Sequence, residues 1–170
     1  ISAAKTTNIP IIVTMTFDTA GKSMMGVSPS NYADYVSKQG VYAFGANCGL
    51  GPAEIIDSIV KMDKKHNINI VAKGNCGIPE FSDGFIHYPM TPQLMGIYAK
   101  LVRDAGASII GGCCGTTPEQ TFAMNHALSS SKQLKKPNLT EAKKYFGDPW
   151  PNVQSANKER RRQKRRQQKK

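Results

Sequence analysis

The chain has 170 residues, a formal net charge of +11 and four cysteines. This length suits one domain, four cysteines are too few for a disulfide scaffold, and no apolar run is long enough to span a bilayer. No signal peptide is visible, so we expect a cytoplasmic protein whose reduced thiols serve in metal binding or catalysis.

Most of the positive charge lies in one segment near the end of the sequence. Residues 158–170 hold nine basic residues and one acidic residue, a net charge of +8, which leaves +3 for the other 157 residues. Such a block of like charge predicts a solvated, disordered tail. We expect only weak, nonspecific contact of this tail with polyanions, because it has no aromatic side chain for base stacking.

The body alternates predicted strands and helices. The strands are predicted at residues 8–17, 41–47, 68–75 and 107–112, and the helices at 28–40, 51–67, 91–106 and 117–130. Three helices begin with Ser-Pro or Thr-Pro, the residues typical of an N-cap and a first helical position. Four β-α units in succession predict an α/β fold with parallel strands. Both an open doubly wound sheet and half of an eight-stranded barrel fit this pattern.

All four cysteines follow predicted strands. Cys48 lies in "GANCG", Cys76 in "GNCG", and Cys113 and Cys114 in "GGCCG". Carboxyl ends of parallel strands meet at one edge of a sheet, where ligands of α/β proteins bind. Three thiolates can hold zinc and leave a fourth coordination position open, as in catalytic zinc sites. Spacing alone leaves zinc binding and buried structural cysteines equally open.

Two of these segments carry a family resemblance. "GANCGLGP" (45–52) and "GASIIGGCCGTTPE" (106–119) resemble the signature segments of the zinc-dependent homocysteine S-methyltransferases. This family includes betaine–homocysteine methyltransferases and the homocysteine module of cobalamin-dependent methionine synthase. The resemblance covers nearly all of residues 8–130. It implies a (β/α)8 TIM barrel, of which this chain holds roughly the last four β-α units.

The same resemblance implies the site and its chemistry. The implied ligands of Zn²⁺ are Cys48, Cys113 and Cys114, and the implied reaction methylates the zinc-bound thiolate of homocysteine to give methionine. Asn47 and Asn75 lie at strand ends, where they would bind the substrate's amino or carboxylate group or support the metal ligands. Cys76 is expected to be a packing residue and not a metal ligand. The histidines His66, His87 and His126 are also expected not to bind the metal.

The resemblance leaves several methyl donors and functions open. The segment 75–88 and the arginine-rich end are similar to bacterial proteins of the betaine type, which favours betaine as donor and dimethylglycine as second product. The alternatives are a methionine synthase module that uses methylfolate and cobalamin, an enzyme that uses S-methylmethionine, or a zinc-thiolate module with a nucleic-acid-binding tail.

We expect residues 1–135 to form the C-terminal half of the barrel, 136–157 an extension that includes a short helix, and 158–170 the tail. The other half of the barrel is expected to lie upstream of the sequence. Four β-α units alone leave two open sheet edges, so we expect residues 1–170 by themselves to fold poorly or to self-associate as a homo-oligomer.

Overall fold

The computed structural model describes residues 1–62 and 67–150. The strands are β1 (Ile12–Met15), β2 (Ala43–Cys48), β3 (Asn69–Gly74), β4 (Glu80–Ser82), β5 (Phe85–His87) and β6 (Ile109–Gly112). The α-helices are α1 (Pro29–Val36), α2 (Pro52–Lys61), α3 (Pro92–Ala105), α4 (Pro118–Ser129) and α5 (Leu139–Phe146). His66, the end of the second predicted helix, the last part of the extension and the basic tail 158–170 lie outside the described residues.

Four strands form one parallel sheet in the order β1-β2-β3-β6. The predicted α/β fold with parallel strands is therefore confirmed. The strand order follows the chain without reversal, as in a barrel, whereas a doubly wound sheet reverses direction at a switch point. Within the described residues, β1 and β6 each keep one edge without a neighbouring strand.

The predicted helix starts are confirmed where proline follows a hydroxyl residue. The Ser28 hydroxyl accepts a hydrogen bond from the N–H of Asn31, and the Thr91 hydroxyl accepts one from Leu94. Each side chain satisfies a backbone donor that the first helical turn leaves without a partner. Gly106 ends α3 in the left-handed conformation, with φ of 114°.

One element has no counterpart in the sequence prediction. Strands β4 and β5 form an antiparallel hairpin that is separate from the main sheet. Asp83 and Gly84 connect them with φ of 53° and 82°, the two positive values that a tight hairpin turn requires. Phe81 and Phe85 are 76 % and 70 % exposed. Strands of three residues are too short to show an alternating pattern, so periodicity could not reveal this hairpin.

The core lies where the helices cover the sheet. Its largest fully buried side chains include Phe44, Ile59, Met95, Tyr98 and Val102. Tyr98 of α3 also has a polar role, because its hydroxyl accepts a hydrogen bond of 2.9 Å from the backbone N–H at the end of β3. The core therefore fixes the position of one strand end. No helix in the described ranges is long and apolar enough to cross a membrane.

We expect Tyr98→Phe to lower the free energy of unfolding by about 1–3 kcal/mol, because it leaves the buried N–H of Gly74 without its acceptor. Urea denaturation of the purified protein measures this loss. Tyr35→Phe is the matched control: Tyr35 is 63 % exposed on α1, and its change should be below about 0.5 kcal/mol. Equal losses in the two variants would contradict the assigned role of the Tyr98 hydroxyl.

Candidate metal centre

Three thiols from two separate strand ends meet at the carboxyl edge of the sheet. Cys48 ends β2, and Cys113 and Cys114 directly follow β6. The Cys48 sulfur lies 3.2 Å from the Cys113 sulfur and 3.6 Å from that of Cys114, and all three lie within 4.8 Å of one another. The strand between them ends level with both, since Gly74 of β3 pairs with Cys48 and with Gly112.

The spacing of the sulfur atoms suits a zinc ion. Tetrahedral zinc with Zn–S bonds of about 2.3 Å separates its sulfur ligands by roughly 3.8 Å. The separations of 3.2 and 3.6 Å are close to that value, and they are far longer than a disulfide bond of about 2.05 Å. All four cysteines are free thiols. Three free thiols in this arrangement form a donor set that zinc prefers.

The pKa values of Cys48 and Cys113 are shifted in opposite directions. The hydrogen bond to Cys113, together with burial, raises the pKa of Cys48 to about 12. Burial alone would raise the pKa of Cys113, but hydrogen bonds from Cys48 and Cys114 and the charge of Lys73 lower it overall. The Cys113 thiol therefore loses its proton more readily than the Cys48 thiol. Metal binding displaces the protons of cysteine ligands, so a bound cation would replace the proton of Cys48.

Backbone hydrogen bonds tie the double-cysteine segment to the end of β3, and Cys48 has a left-handed backbone conformation. Cys48 and Gly49 have φ of 59° and 74°, and the left-handed conformation is uncommon for a residue with a side chain. The N–H of Cys113 donates to the carbonyl of Gly74 at 2.8 Å, and the N–H of Cys76 donates to the carbonyl of Cys114 at 3.0 Å. The end of β3 is thus bonded directly to the double-cysteine segment.

The two candidate asparagines differ in their contacts. The Asn75 amide donates to the carbonyl of Gly49 at 2.7 Å, and its oxygen accepts from the N–H of Cys114 at 3.0 Å. One side chain therefore connects the two segments that carry the thiols. The side chain of Asn47 makes no hydrogen bond among the residues that the structure describes, which leaves its polar atoms available to a ligand.

Removing the Asn75 side chain should loosen the metal site without removing a thiol. We expect Asn75→Ala to weaken zinc binding by about 10–100-fold, the usual effect of losing a hydrogen bond that orients metal ligands. Competition with a chromophoric chelator measures the affinity. Asn47→Ala, the matched control, should bind zinc as the unchanged protein does. An Asn75→Ala protein with unchanged affinity would show that backbone contacts alone position the thiols.

A cavity of about 670 Å³ opens beside Cys48, and we call it the thiol cavity. Its lining includes Met15, Asp18, Met24, Leu50 and Asn75. Sequence analysis missed the contribution of residues 15–27, although their place after β1 puts them at the same edge as the cysteines. The thiol cavity offers a mainly apolar wall next to the sulfur atoms, together with the carboxylate of Asp18 and the amide of Asn75.

Three residues that were predicted not to bind the metal, Cys76, His87 and His126, lie outside the three-thiol cluster. Cys76 is buried 3.4 Å from the hydroxyl of Thr116, and burial raises the pKa of its thiol. His87 is exposed on β5, and His126 is exposed on α4, where its ring stacks on Phe122. Within the described residues, the cysteine cluster is the only group of histidine, cysteine and acidic side chains close enough to hold a metal ion.

The parallel sheet with its covering helices and the three thiols at its carboxyl edge define an α/β protein with a candidate metal-binding thiol cluster. The homocysteine S-methyltransferase family matches residues 1–128, about three quarters of the sequence. The chain belongs to this family, so the predicted family is confirmed.

Two relatives are methionine synthases from mycobacteria. The protein from Mycobacterium leprae (strain TN) is 33 % identical over 113 residues, which are 66 % of this chain and 9 % of that protein. The protein from Mycobacterium tuberculosis (strain ATCC 25618 / H37Rv) is 29 % identical over 127 residues, which are 74 % of this chain and 11 % of that protein. The matched region thus spans about a tenth of the length of these relatives.

Proposed function

We propose that this chain contributes the zinc site of a homocysteine S-methyltransferase, with Cys48, Cys113 and Cys114 as the zinc ligands. One observation carries the proposal: three free thiols from two strand ends lie within 4.8 Å of one another in a chain of this family. A packing role alone gives no reason to place three thiols at one sheet edge beside an open cavity.

The residues of the chain have separate tasks in this proposal. Bound zinc would supply an open coordination position that lowers the pKa of a homocysteine thiol from its ordinary value of about 8.5. The three cysteines hold the metal, and Asn75 keeps their two segments in register. The mainly apolar wall of the thiol cavity, with Met15 and Leu50, would contact the carbon chain of the bound substrate.

We further propose that additional β-α units close the sheet into a barrel. Strands β1, β2, β3 and β6 are parallel and follow the chain order, which is the arrangement of consecutive barrel strands. Strands paired with the open edges of β1 and β6 would complete it and cover the edges that otherwise favour self-association. We assign residues 136–157 to an extension of this barrel half and residues 158–170 to a basic tail. The positive charge of the tail would bind polyanions weakly and without specificity.

The donor of the methyl group has two candidates with direct support. The resemblance of residues 75–88 to betaine-type proteins supports betaine, with dimethylglycine as the second product. The similarity to two methionine synthases supports a donor of the methylfolate and cobalamin type. Neither the thiol cluster nor the thiol cavity distinguishes these donors, because both reactions end on the same homocysteine sulfur.

A direct assay tests the proposed reaction. The complete gene product, purified in reducing buffer and loaded with zinc, is incubated with homocysteine and a donor labelled with deuterium in its methyl group. Mass spectrometry then detects labelled methionine. Betaine, S-methylmethionine and methylfolate with cobalamin are tested separately, with Cys114→Ala as the inactive control. Zinc binding without labelled methionine from any donor would instead support a zinc-thiolate binding module.

A further inference from the structure

We propose that a groove between α3 and α4 is the contact surface of a two-fold symmetric dimer of this chain. The groove, which we call the helix groove, has a volume of about 700 Å³. Its wall is mainly apolar and includes Pro92, Gly96, Ile97, Pro118, Phe122 and Ala123. None of its described lining residues is a cysteine, so this inference goes beyond the proposed function and does not depend on it.

The helix groove lies on the side of the two helices that is turned away from the core. The core-facing residues Met95, Tyr98 and Met124 are buried and do not line it. Helix α3 precedes β6 and α4 follows it, and β6 is at the edge of the sheet. A β-α unit added at that edge would pack on the far flank of α4 and leave the groove open. An exposed apolar wall in this position is typical of a surface that binds a protein.

An exposed aromatic ring and a hollow lie side by side in the helix groove. Phe122 is 71 % exposed, and its ring stacks on that of His126 with the centroids 6.4 Å apart. The two helices approach closely next to it, since a Cβ added to Gly96 would lie 3.2 Å from the carbonyl oxygen of Ala123. The surface thus offers both a projecting side chain and a place to receive one. Such a surface can pack against a copy of itself, as the two halves of a two-fold interface must.

The charges along the helix groove select a second copy as the partner. Glu119 lies in the first turn of α4, and a hydrogen bond from the Thr117 hydroxyl lowers the pKa of its carboxyl. Lys100 lies eight residues after the start of α3, about 12 Å along that helix. One end of the groove is therefore acidic and the other basic. A two-fold axis near Phe122 reverses the helices of the partner copy and places Glu119 of each copy opposite Lys100 of the other.

Sedimentation velocity of the complete gene product in reducing buffer tests the proposal. We expect a dimer at micromolar concentration, and we expect Phe122→Glu to weaken the association at least about 30-fold, as the loss of a central aromatic contact does. Phe81→Glu is the matched control, because Phe81 is 76 % exposed on β4 and does not line the helix groove. A monomer at every concentration, or an equal effect of the two variants, would overturn the proposal.

Exchanging the two charges tests the symmetry of the contact. Lys100→Glu and Glu119→Lys each place like charges opposite one another, so each variant alone should dimerise at least about tenfold more weakly. In an equal mixture, both contacts between the two different variants join opposite charges, so a heterodimer should form about as readily as the original dimer. Loss of stability in either variant cannot produce this recovery. A mixture that stays monomeric would overturn the proposal.

A second pair of variants covers the case in which Glu119→Lys does not fold, because Glu119 belongs to the start of α4. Lys100→Glu should then weaken the dimer more than Lys100→Gln, since reversal of a charge adds repulsion whereas neutralisation only removes attraction. Equal dimerisation of these two variants would show that Lys100 does not face a carboxylate and would overturn the proposal.

The outcome is separable from that of the proposed function. Phe122→Glu should keep its zinc and its methionine formation, because the three thiols lie outside the helix groove. A dimer without methionine formation would count only against the methyltransferase. Deleting residues 158–170 should leave the dimer intact. A dimer that is lost with this segment, or that persists in Phe122→Glu through the open sheet edges, would overturn the proposal.

Discussion

Replacing Cys48 or Cys114 by alanine is expected to remove zinc from the protein and to abolish methionine formation. Each substitution deletes one of three sulfur ligands, and two thiols cannot complete a tetrahedral site with an open position for the substrate. The loss of affinity should exceed the roughly 10–100-fold expected for a lost supporting hydrogen bond. Metal analysis of the reduced protein should find about one zinc per chain before substitution and none after it.

Cys76→Ala is the control for this pair of variants. Cys76 is fully buried beside Thr116, outside the three-thiol group, so its removal should reduce stability but leave the zinc content unchanged. Retention of zinc in both the Cys48 and the Cys114 variants, or its loss in all three, would mean that the thiol cluster is not the metal site. The assignment of the chemistry to this cluster would then fail.

The second large effect is expected at Gly112, directly before the double cysteine. A Cβ built there would lie 2.0 Å from the hydroxyl oxygen of Thr116, a distance that forces the backbone or the threonine to move. We expect Gly112→Ala to destabilise the protein by about 1–3 kcal/mol and to shift Cys113 enough to weaken zinc binding, although all three thiols remain. Thermal unfolding and zinc affinity are the two measurements.

Gly111→Ala provides a control one residue away. A Cβ at Gly111 would have only the Cγ atom of Lys73 nearby, at 3.9 Å, which is an ordinary contact. This variant should change stability by less than about 0.5 kcal/mol and should bind zinc normally. Similar behaviour of the two variants would show that the Gly-Gly pair serves strand flexibility in general and not the close approach of Thr116.

Several features could be predicted from the sequence because neighbouring residues determine them. The β-α alternation followed from periodicity, and the starts of α1 and α3 followed from Ser28-Pro29 and Thr91-Pro92, whose hydroxyl caps act over three residues. The placement of cysteines after strands predicted one shared edge, since parallel strands end on the same side of a sheet. Family membership followed from the flanks of Cys48 and of the double cysteine, and the match over residues 1–128 confirms it.

Other features depended on contacts between distant parts of the chain. The family resemblance implied that Cys48, Cys113 and Cys114 form a group without Cys76, but the distances between their sulfur atoms come from the tertiary structure alone. Asn75 lies 26 residues from Gly49 and 39 from Cys114, and Trp150 lies 93 residues from Asp57. No local pattern encodes such pairs, because they depend on strand register and on where α5 and the segment after it pack. Residue type and order therefore determined the strands, the helix starts and the cysteine edge, whereas packing between distant segments determined the geometry of the thiols and the wall of the thiol cavity.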